Sequence, residues 1–389
     1  MRDMNLFQKH RRLTLIITNL VIVLIVDITA GVAYKKIKGY AWYYAWKDGA
    51  TSERTLRIKS DRYHHDLAKN INTKENSRWG AKSYTVKTNS LGFKDGTNRQ
   101  VPLKIKKKRL VFIGDSFTEG IGLDYEKTFV GLINNVLKQK YSVLNAGVTS
   151  YSPIIYWKKV EDLINTTGLE FDELIVYLDI SDIQDEASAY KLNDGWVINA
   201  IKGSIGDMNK PSLHSELIKE NTILWAWLRA LVKREKALGL RRPIFENKEA
   251  YTYKDSINRY RSLWTTDNKA YKEYGERGLD ISARHMDELL QLLTKHEIKM
   301  TLAIYPWPDQ VYYDAVDSKQ VLFWENWTKK RKVRFINHFN DFFALKDRIG
   351  AERLIEEYYI PGDVHFNEKG NILIKEYFLD QYPHNIQTQ

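Results

Sequence analysis

Three residues in this sequence are of the types and at the places needed for nucleophilic acyl transfer: Ser116, His365 and Asp363. Ser116 stands in RLVFIGDSFTEG, residues 109 to 120. The apolar run LVFIG reads as a buried strand, and the chain turns into a helix after it. A serine at the C-terminal end of such a strand lies where open α/β sheets bind their ligands. Its amide is then close to a helix N-terminus, ready to donate to an oxyanion. Serine is a weak nucleophile until a base takes its proton. PGDVHFNEKGN, residues 361 to 371, offers that base. His365 precedes the closing helix, and Asp363, two residues earlier, can orient the imidazole and stabilise its cation. Each residue also has a plainer reading: Ser116 as a helix cap, His365 as a surface loop residue, Asp363 as a turn residue after Gly362. The pairing of the two segments points to chemistry.

The elements that must position these residues follow from periodicity. After LVFIG, apolar residues at Phe129, Leu132, Ile133, Val136 and Leu137 have helical spacing. Residues 141 to 147 read as a second strand, 155 to 166 as a helix and 173 to 180 as a third strand. Residues 286 to 295 form an amphipathic helix, 300 to 305 a fourth strand and 333 to 337 a short fifth, before a closing helix over 370 to 379. Strands alternating with helices predict a parallel sheet covered on both faces. Residues 187 to 280 break that rhythm and read as a helical insertion between the third and fourth strands. They include TILWAWLRALVKREKALGLRR, a basic stretch striped by Leu224, Trp227, Leu228 and Leu231. A lid or a partner surface is its expected role; a basic amphipathic helix can also lie on a membrane.

GDSFTEG together with DVH near the end resembles the SGNH, or GDSL, hydrolase superfamily. The resemblance covers residues 109 to about 380. It implies a three-layer α/β/α, flavodoxin-like fold, a shallow open site, and ester chemistry with no metal and no cofactor. Ser116 matches the first motif serine, and Asp363 and His365 match the last motif. Gly147, in NAGVTSYS, matches the glycine whose amide joins the Ser116 amide in the oxyanion hole. The third motif, ordinarily G-x-N-D, departs: YLDISDI puts Asp179 at the glycine and Ser181 at the asparagine. The Ser181 hydroxyl is shorter but can still donate. Trp307, in YPWPDQV after the fourth strand, is expected to border the substrate groove, with loop packing as its plainer reading. Asp115 reads as a turn residue, and Asp179, Asp182, Asp185 and Glu186 as solvated loop acids. The adjacent His64 and His65 project differently and read as structural.

Residues 13 to 34, LTLIITNLVIVLIVDITAGVAY, are long and apolar enough to span a bilayer as a helix. Asn19 and Asp27 are its polar exceptions. Arg2, Lys9, Arg11 and Arg12 precede it and Lys35, Lys36 and Lys38 follow, a narrow positive-inside balance that favours a cytoplasmic N-terminus. A signal peptide cleaved after Ala33 is the rival reading; the length of the apolar run favours an uncleaved anchor. The expected organisation is a cytoplasmic tail (1–12), a transmembrane helix (13–34), a membrane-proximal stalk or cap (35–107), a hydrolase domain (108–380) carrying the 187–280 insertion, and a tail (381–389).

The chain has 389 residues with 60 Lys plus Arg against 49 Asp plus Glu, a net of +11. That balance suits an anionic surface or polymer, but the basic residues are spread out, which with export opposes a nucleic-acid partner. No cysteine is present, so disulfides and thiolate nucleophiles are excluded. The expected protein is a single-pass membrane serine esterase with its catalytic domain outside the cytoplasm. Its expected substrates are O-acyl, above all O-acetyl, esters of an envelope polysaccharide or glycolipid. An O-acyltransferase to a sugar hydroxyl and a non-catalytic envelope scaffold remain the alternatives. Ser116 and His365 at hydrogen-bond distance would favour an enzyme over the scaffold.

Overall fold

The computed structural model describes residues 10–38, 56–75, 84–200, 218, 221–228 and 251–382. The chain divides into two compact units, residues 1–52 with 208–246, and residues 53–207 with 247–389.

The first unit contains helix α1, Arg11–Lys38. Its apolar side chains are exposed along most of its length. It is the one helix among the described residues long and apolar enough to cross a membrane. Residues 224–228, from the basic stretch singled out above, are helical and belong to this unit; Leu231 lies outside the described residues.

The second unit is an α/β domain. Four short strands come first: β1 (Arg57–Ser60), β2 (His64–Leu67), β3 (Asn72–Glu75) and β4 (Tyr84–Lys87). They pair as two antiparallel hairpins, β1 with β2 and β3 with β4. The central sheet follows, from β5 (Lys108–Gly114), β6 (Tyr141–Asn145), β7 (Glu173–Leu178), β10 (Lys299–Ile304) and β11 (Arg334–Asn337). A third hairpin, β8 (Tyr190–Asn193) with β9 (Trp196–Asn199), interrupts the series. The sheet is wholly parallel in the order β11-β10-β7-β5-β6. Every residue of β7 is buried, as is β5 after its first. This is why both read as unbroken apolar runs rather than alternating ones.

The chain leaves β5 for one edge of the sheet and returns across β5 to β7. That reversal makes a switch point between the C-terminal ends of β5 and β7, where doubly wound sheets bind ligands. Helices α2 (Ser116–Glu119), α3 (Phe129–Leu137), α4 (Pro153–Asp162), α5 (Asp182–Ser188), α6 (Glu276–Lys295) and α7 (Glu368–Gln381) complete the frame. The closing helix α7 packs on α3, and α4 and α5 both pack on α6, giving the three layers.

Two segments of the expected organisation are described in part. Of the expected stalk (35–107), residues 35–38 end α1 in the first unit, whereas the described residues 56–75 and 84–107 belong to the α/β unit. Leu56, Leu67, Val86 and Phe93 join its core, and Arg57 makes a two-pronged ion pair with Glu119 of α2 at 2.8 Å and 2.8 Å. The expected insertion is divided. Its described residues 218 and 221–228 group with α1, whereas residues 251 to 280 pack in the α/β unit. There Trp264 is fully buried and its indole N–H donates to the Ile180 carbonyl at 3.1 Å.

Candidate active site

Strand β5 ends at Gly114, beside Tyr177 of β7. A side chain on Gly114 would meet the Thr118 hydroxyl and the Tyr177 carbonyl, so glycine is needed where the turn doubles back. Asp115 caps the short helix α2, accepting the Phe117 amide at 3.0 Å. Gly120, with φ +74°, ends α2 one turn later. Ser116 is therefore the first residue of α2, held between a glycine-gated strand end and a capped turn.

The His365 loop is pinned at both ends. Gly362 takes φ +73°, the left-handed region that favours glycine. The Ile360 amide donates back to the His365 carbonyl at 2.8 Å. Beyond it, Asn367 caps α7 by accepting the Gly370 amide at 3.1 Å, and Asn371 of α7 accepts the Phe129 amide at 2.8 Å, tying the loop's helix to α3. Phe117 packs on the His365 ring with centroids 4.7 Å apart.

This framework brings Ser116, His365 and Asp363 together. His365 Nε2 is 2.8 Å from Ser116 Oγ, and His365 Nδ1 is 2.5 Å from Asp363 Oδ1. Asp363 Oδ1 also accepts the amides of Val364 at 2.6 Å and His365 at 3.1 Å. Burial alone would raise the Asp363 carboxyl, but the charge of His365 and these hydrogen bonds hold it below its ordinary value. Burial alone would lower His365, yet the charge and hydrogen bond of Asp363, and more distantly Asp115 and Asp179, hold it above. The imidazolium is thus a favoured state, as a general base requires of its product.

Ser116 Oγ has a second neighbour. It donates to Asp115 Oδ2 at 3.0 Å. Asp115 belongs to a buried trio with Asp179 and Asp182, whose ligand-type oxygens lie within 4.8 Å of one another. Asp179 accepts the Tyr305 hydroxyl at 2.8 Å, the Trp307 indole N–H at 2.6 Å and the Ser181 amide at 2.7 Å. Asp182 accepts the Tyr156 hydroxyl at 2.7 Å and the Asp179 amide at 3.0 Å. Burial, then the charge of Asp179, pushes Asp115 up to about 7. Burial and the charges of Asp115 and Asp179 push Asp182 well above the carboxylate range. Burial and like charge thus favour the protonated forms of Asp115 and Asp182. The trio spaces its oxygens as metal ligands would, but Asp179 and Asp182 are already engaged by protein donors.

The Gly147 amide donates to Asn145 Oδ1 at 3.1 Å, within its own loop. A side chain on Gly147 would come within 2.7 Å of Thr118, so the glycine also lets this loop close on α2. Ser181 follows β7 at the switch point and is buried, and its hydroxyl has no hydrogen-bond partner among the described residues. The same holds for the Ser116 amide at the start of α2. Trp307 is corrected: it is 5% exposed, stacks near Phe117 with centroids 6.1 Å apart, and spends its indole N–H on Asp179, so it offers no ring face to a ligand. Asp179, Asp182, Asp185 and Glu186 are corrected from solvated acids to buried ones. Asp185 pairs with Arg261, and Glu186 accepts Ser152 Oγ at 2.6 Å and meets His285 Nδ1 at 2.5 Å. His65 is packed by Tyr151 and bonded through Nε2 to the Thr149 carbonyl at 2.7 Å.

Sequence reasoning missed the contact of Asp115 with the nucleophile and the Asp179, Tyr305 and Trp307 network beneath it. The one available signal was an aspartate at a motif position that ordinarily holds glycine.

No protein-family model matches this chain, and no curated protein matches it. Solved structures do. A lipolytic protein of the G-D-S-L family from Veillonella parvula aligns at 11% identity and TM-score 0.36, over 71% of this chain and 98% of that one. An acetylxylan esterase from Geobacillus stearothermophilus aligns at 9% identity and TM-score 0.39, over 72% and 97%. A psychrotrophic esterase from Pseudoalteromonas aligns at 11% identity and TM-score 0.35, over 71% and 96%. At such scores and identities the likeness assigns no activity, and what this chain can do chemically rests on its own Ser116, His365 and Asp363.

Proposed function

We propose that this protein is a membrane-anchored serine esterase that cleaves O-acyl esters through an acyl-enzyme on Ser116. The observation that carries the reading is the continuous path from Asp363 through His365 to Ser116, at 2.5 Å and 2.8 Å. It is the geometry expected of an enzyme rather than of a binding scaffold.

In the first half of the reaction, Ser116 Oγ attacks the ester carbonyl carbon while its proton passes to His365 Nε2. The carbonyl oxygen becomes an oxyanion, for which the Ser116 amide and the Ser181 hydroxyl are the unengaged donors at the switch point. The imidazolium returns its proton to the departing alkoxide, the carbon–oxygen bond breaks, and the acyl group stays on Ser116. In the second half, His365 takes a proton from water, the hydroxide attacks the acyl carbon, and the acid leaves as Ser116 regains its proton. Asp363 keeps the ring oriented and its cation stabilised throughout.

The substrate class we favour is an O-acetylated polysaccharide or glycolipid of the cell envelope, reached by a catalytic unit outside the cytoplasm. Helix α1 and the net charge of +11 support placement beside a membrane or an anionic polymer. Transfer of the acyl group to a sugar hydroxyl in place of water uses the same first half-reaction.

Release of p-nitrophenol from p-nitrophenyl acetate by the detergent-solubilised protein tests the reading. Ser116→Ala is expected to lower kcat by ~10⁴-fold or more. Equal release by the wild type and this variant would defeat it.

A further inference from the structure

Helix α1 carries one carboxylate within its apolar length, and that carboxylate is fully used. Asp27 is 8% exposed on a helix whose neighbouring apolar side chains are open. Its Oδ1 accepts the amides of Ile223 at 2.7 Å and Leu224 at 2.7 Å, and its Oδ2 accepts the amide of Trp225 at 3.0 Å. These are the first N–H groups of a helical turn, since the Trp227 amide donates to the Ile223 carbonyl at 3.0 Å. Gly31, one turn after Asp27, makes the approach possible: a side chain there would sit 2.5 Å from the Asn221 carbonyl. Both partners lie in the same compact unit.

Two needs are met by this one contact. A carboxylate within a bilayer is costly unless paired. The opening N–H groups of a helix in lipid have no water to bond and must find protein acceptors. Asp27 answers both, with the positive end of the helix dipole facing its charge. Its depth follows from helix geometry. Asp27 precedes Lys35 by eight residues, ~12 Å along the axis, so groups bonded to it lie inside the leaflet that ends near Lys35. Leu224, Trp225, Trp227 and Leu228 around this turn are all exposed in the protein, while Ala226 is buried. Arg229, Lys233, Arg234 and Lys236 follow directly in sequence. An apolar turn with interfacial tryptophans and basic residues after it fits the acyl–headgroup boundary of an anionic leaflet.

We propose that residues 221–228 are a second membrane-embedded element, seated in the leaflet beside α1 with Asp27 as its cap and acyl chains against Leu224, Trp225, Trp227 and Leu228. The proposal rests on reading α1 as a membrane span. It assigns this part of the sequence to the anchor rather than to a mobile lid.

The chain has no cysteine, so single cysteines at Ile22→Cys and Leu228→Cys can carry an environment-sensitive nitrobenzoxadiazole label in the full-length protein. The labelled proteins are reconstituted in vesicles of phosphatidylcholine and phosphatidylglycerol. Quenching by doxyl groups on the acyl chains reports lipid contact, and quenching by aqueous iodide reports water. Both positions are expected to be quenched by doxyl lipid and shielded from iodide. Adding Asp27→Ala is expected to reduce doxyl quenching at 228 while leaving it at 22. No doxyl quenching at 22 would overturn the membrane span itself. Quenching at 22 with iodide access at 228 would place the segment in water and overturn the proposal alone. Shielding of 228 from both quenchers would mean a protein covers it, which also overturns the proposal. Quenching at 228 that ignores Asp27→Ala would remove Asp27 as the cap.

Discussion

Ser116 Oγ stands between two acceptors, His365 Nε2 at 2.8 Å and Asp115 Oδ2 at 3.0 Å. Only the first leads to attack. Because burial lifts Asp115 to about 7, the carboxyl is partly protonated near neutral pH. In that form it can donate to Ser116 Oγ and leave the hydroxyl proton aimed at His365. His365 must itself be neutral to act as base, and its pKa is held above the ordinary 6.5. The rate should therefore fall as pH drops through a value above 6.5, because the imidazolium forms early. Asp363→Asn removes the main group that raises His365. Its acid limb should move to lower pH while kcat falls by ~10⁴-fold; a limb that stays in place in a pH–rate profile would contradict the assignment. Ser181 is the test of the oxyanion site. If its hydroxyl donates there, Ser181→Ala should lower kcat by about 10²-fold or more with a small change in KM. An unchanged kcat would leave the Ser116 amide without that partner.

At the scale of elements, the site depends on segments far apart in the chain. Glu119 of α2 is buried against Arg57 of β1 and accepts the Thr149 amide at 2.7 Å. Burial alone would raise Glu119, but Arg57 and these hydrogen bonds hold it down to about 2. Its stabilising effect is thus present above the ordinary glutamate value of 4.5 and is lost as pH falls towards 2. Glu119→Ala should destabilise the α/β unit by roughly 3 kcal/mol at neutral pH, read from thermal unfolding, because it strands Arg57. A change within error would mean the pair adds nothing beyond packing. Elements of this kind separate what sequence reasoning could reach from what it could not. Strands β5, β7 and β10 were legible because strands buried on both faces are written as continuous apolar runs. The closing helix was legible from its spacing, and the motif residues Ser116, Asp363 and His365 from their neighbours. Strands β1 to β4 were not, since each has four residues, many polar, and their burial comes from partners such as Glu119 that are distant in sequence. Trp307 read as a groove residue because its position at the sheet's C-terminal edge was visible, while its hydrogen bond to Asp179 was not. The bond from Gly147 to Asn145, and that from Asp27 to residues 223–225, are likewise tertiary facts without a local signature.

For the whole molecule, one apolar helix, a basic net charge and the Ser116–His365–Asp363 site support the proposed reading of an esterase beside a membrane. We propose that the α/β unit lies outside the cytoplasm. A cysteine introduced at the exposed Glu288 should then react with a membrane-impermeant maleimide in intact cells, and reaction only after permeabilisation would reverse the orientation. A covalent probe tests Ser116 itself. A phosphonate ester that traps serine hydrolases should add one phosphonyl group to the full-length protein. Peptide mass mapping should place it on Ser116, and His365→Ala should slow its addition sharply. A protein left unmodified, or modified equally fast at other serines in the Ser116→Ala variant, would contradict the assignment of Ser116 as an activated nucleophile.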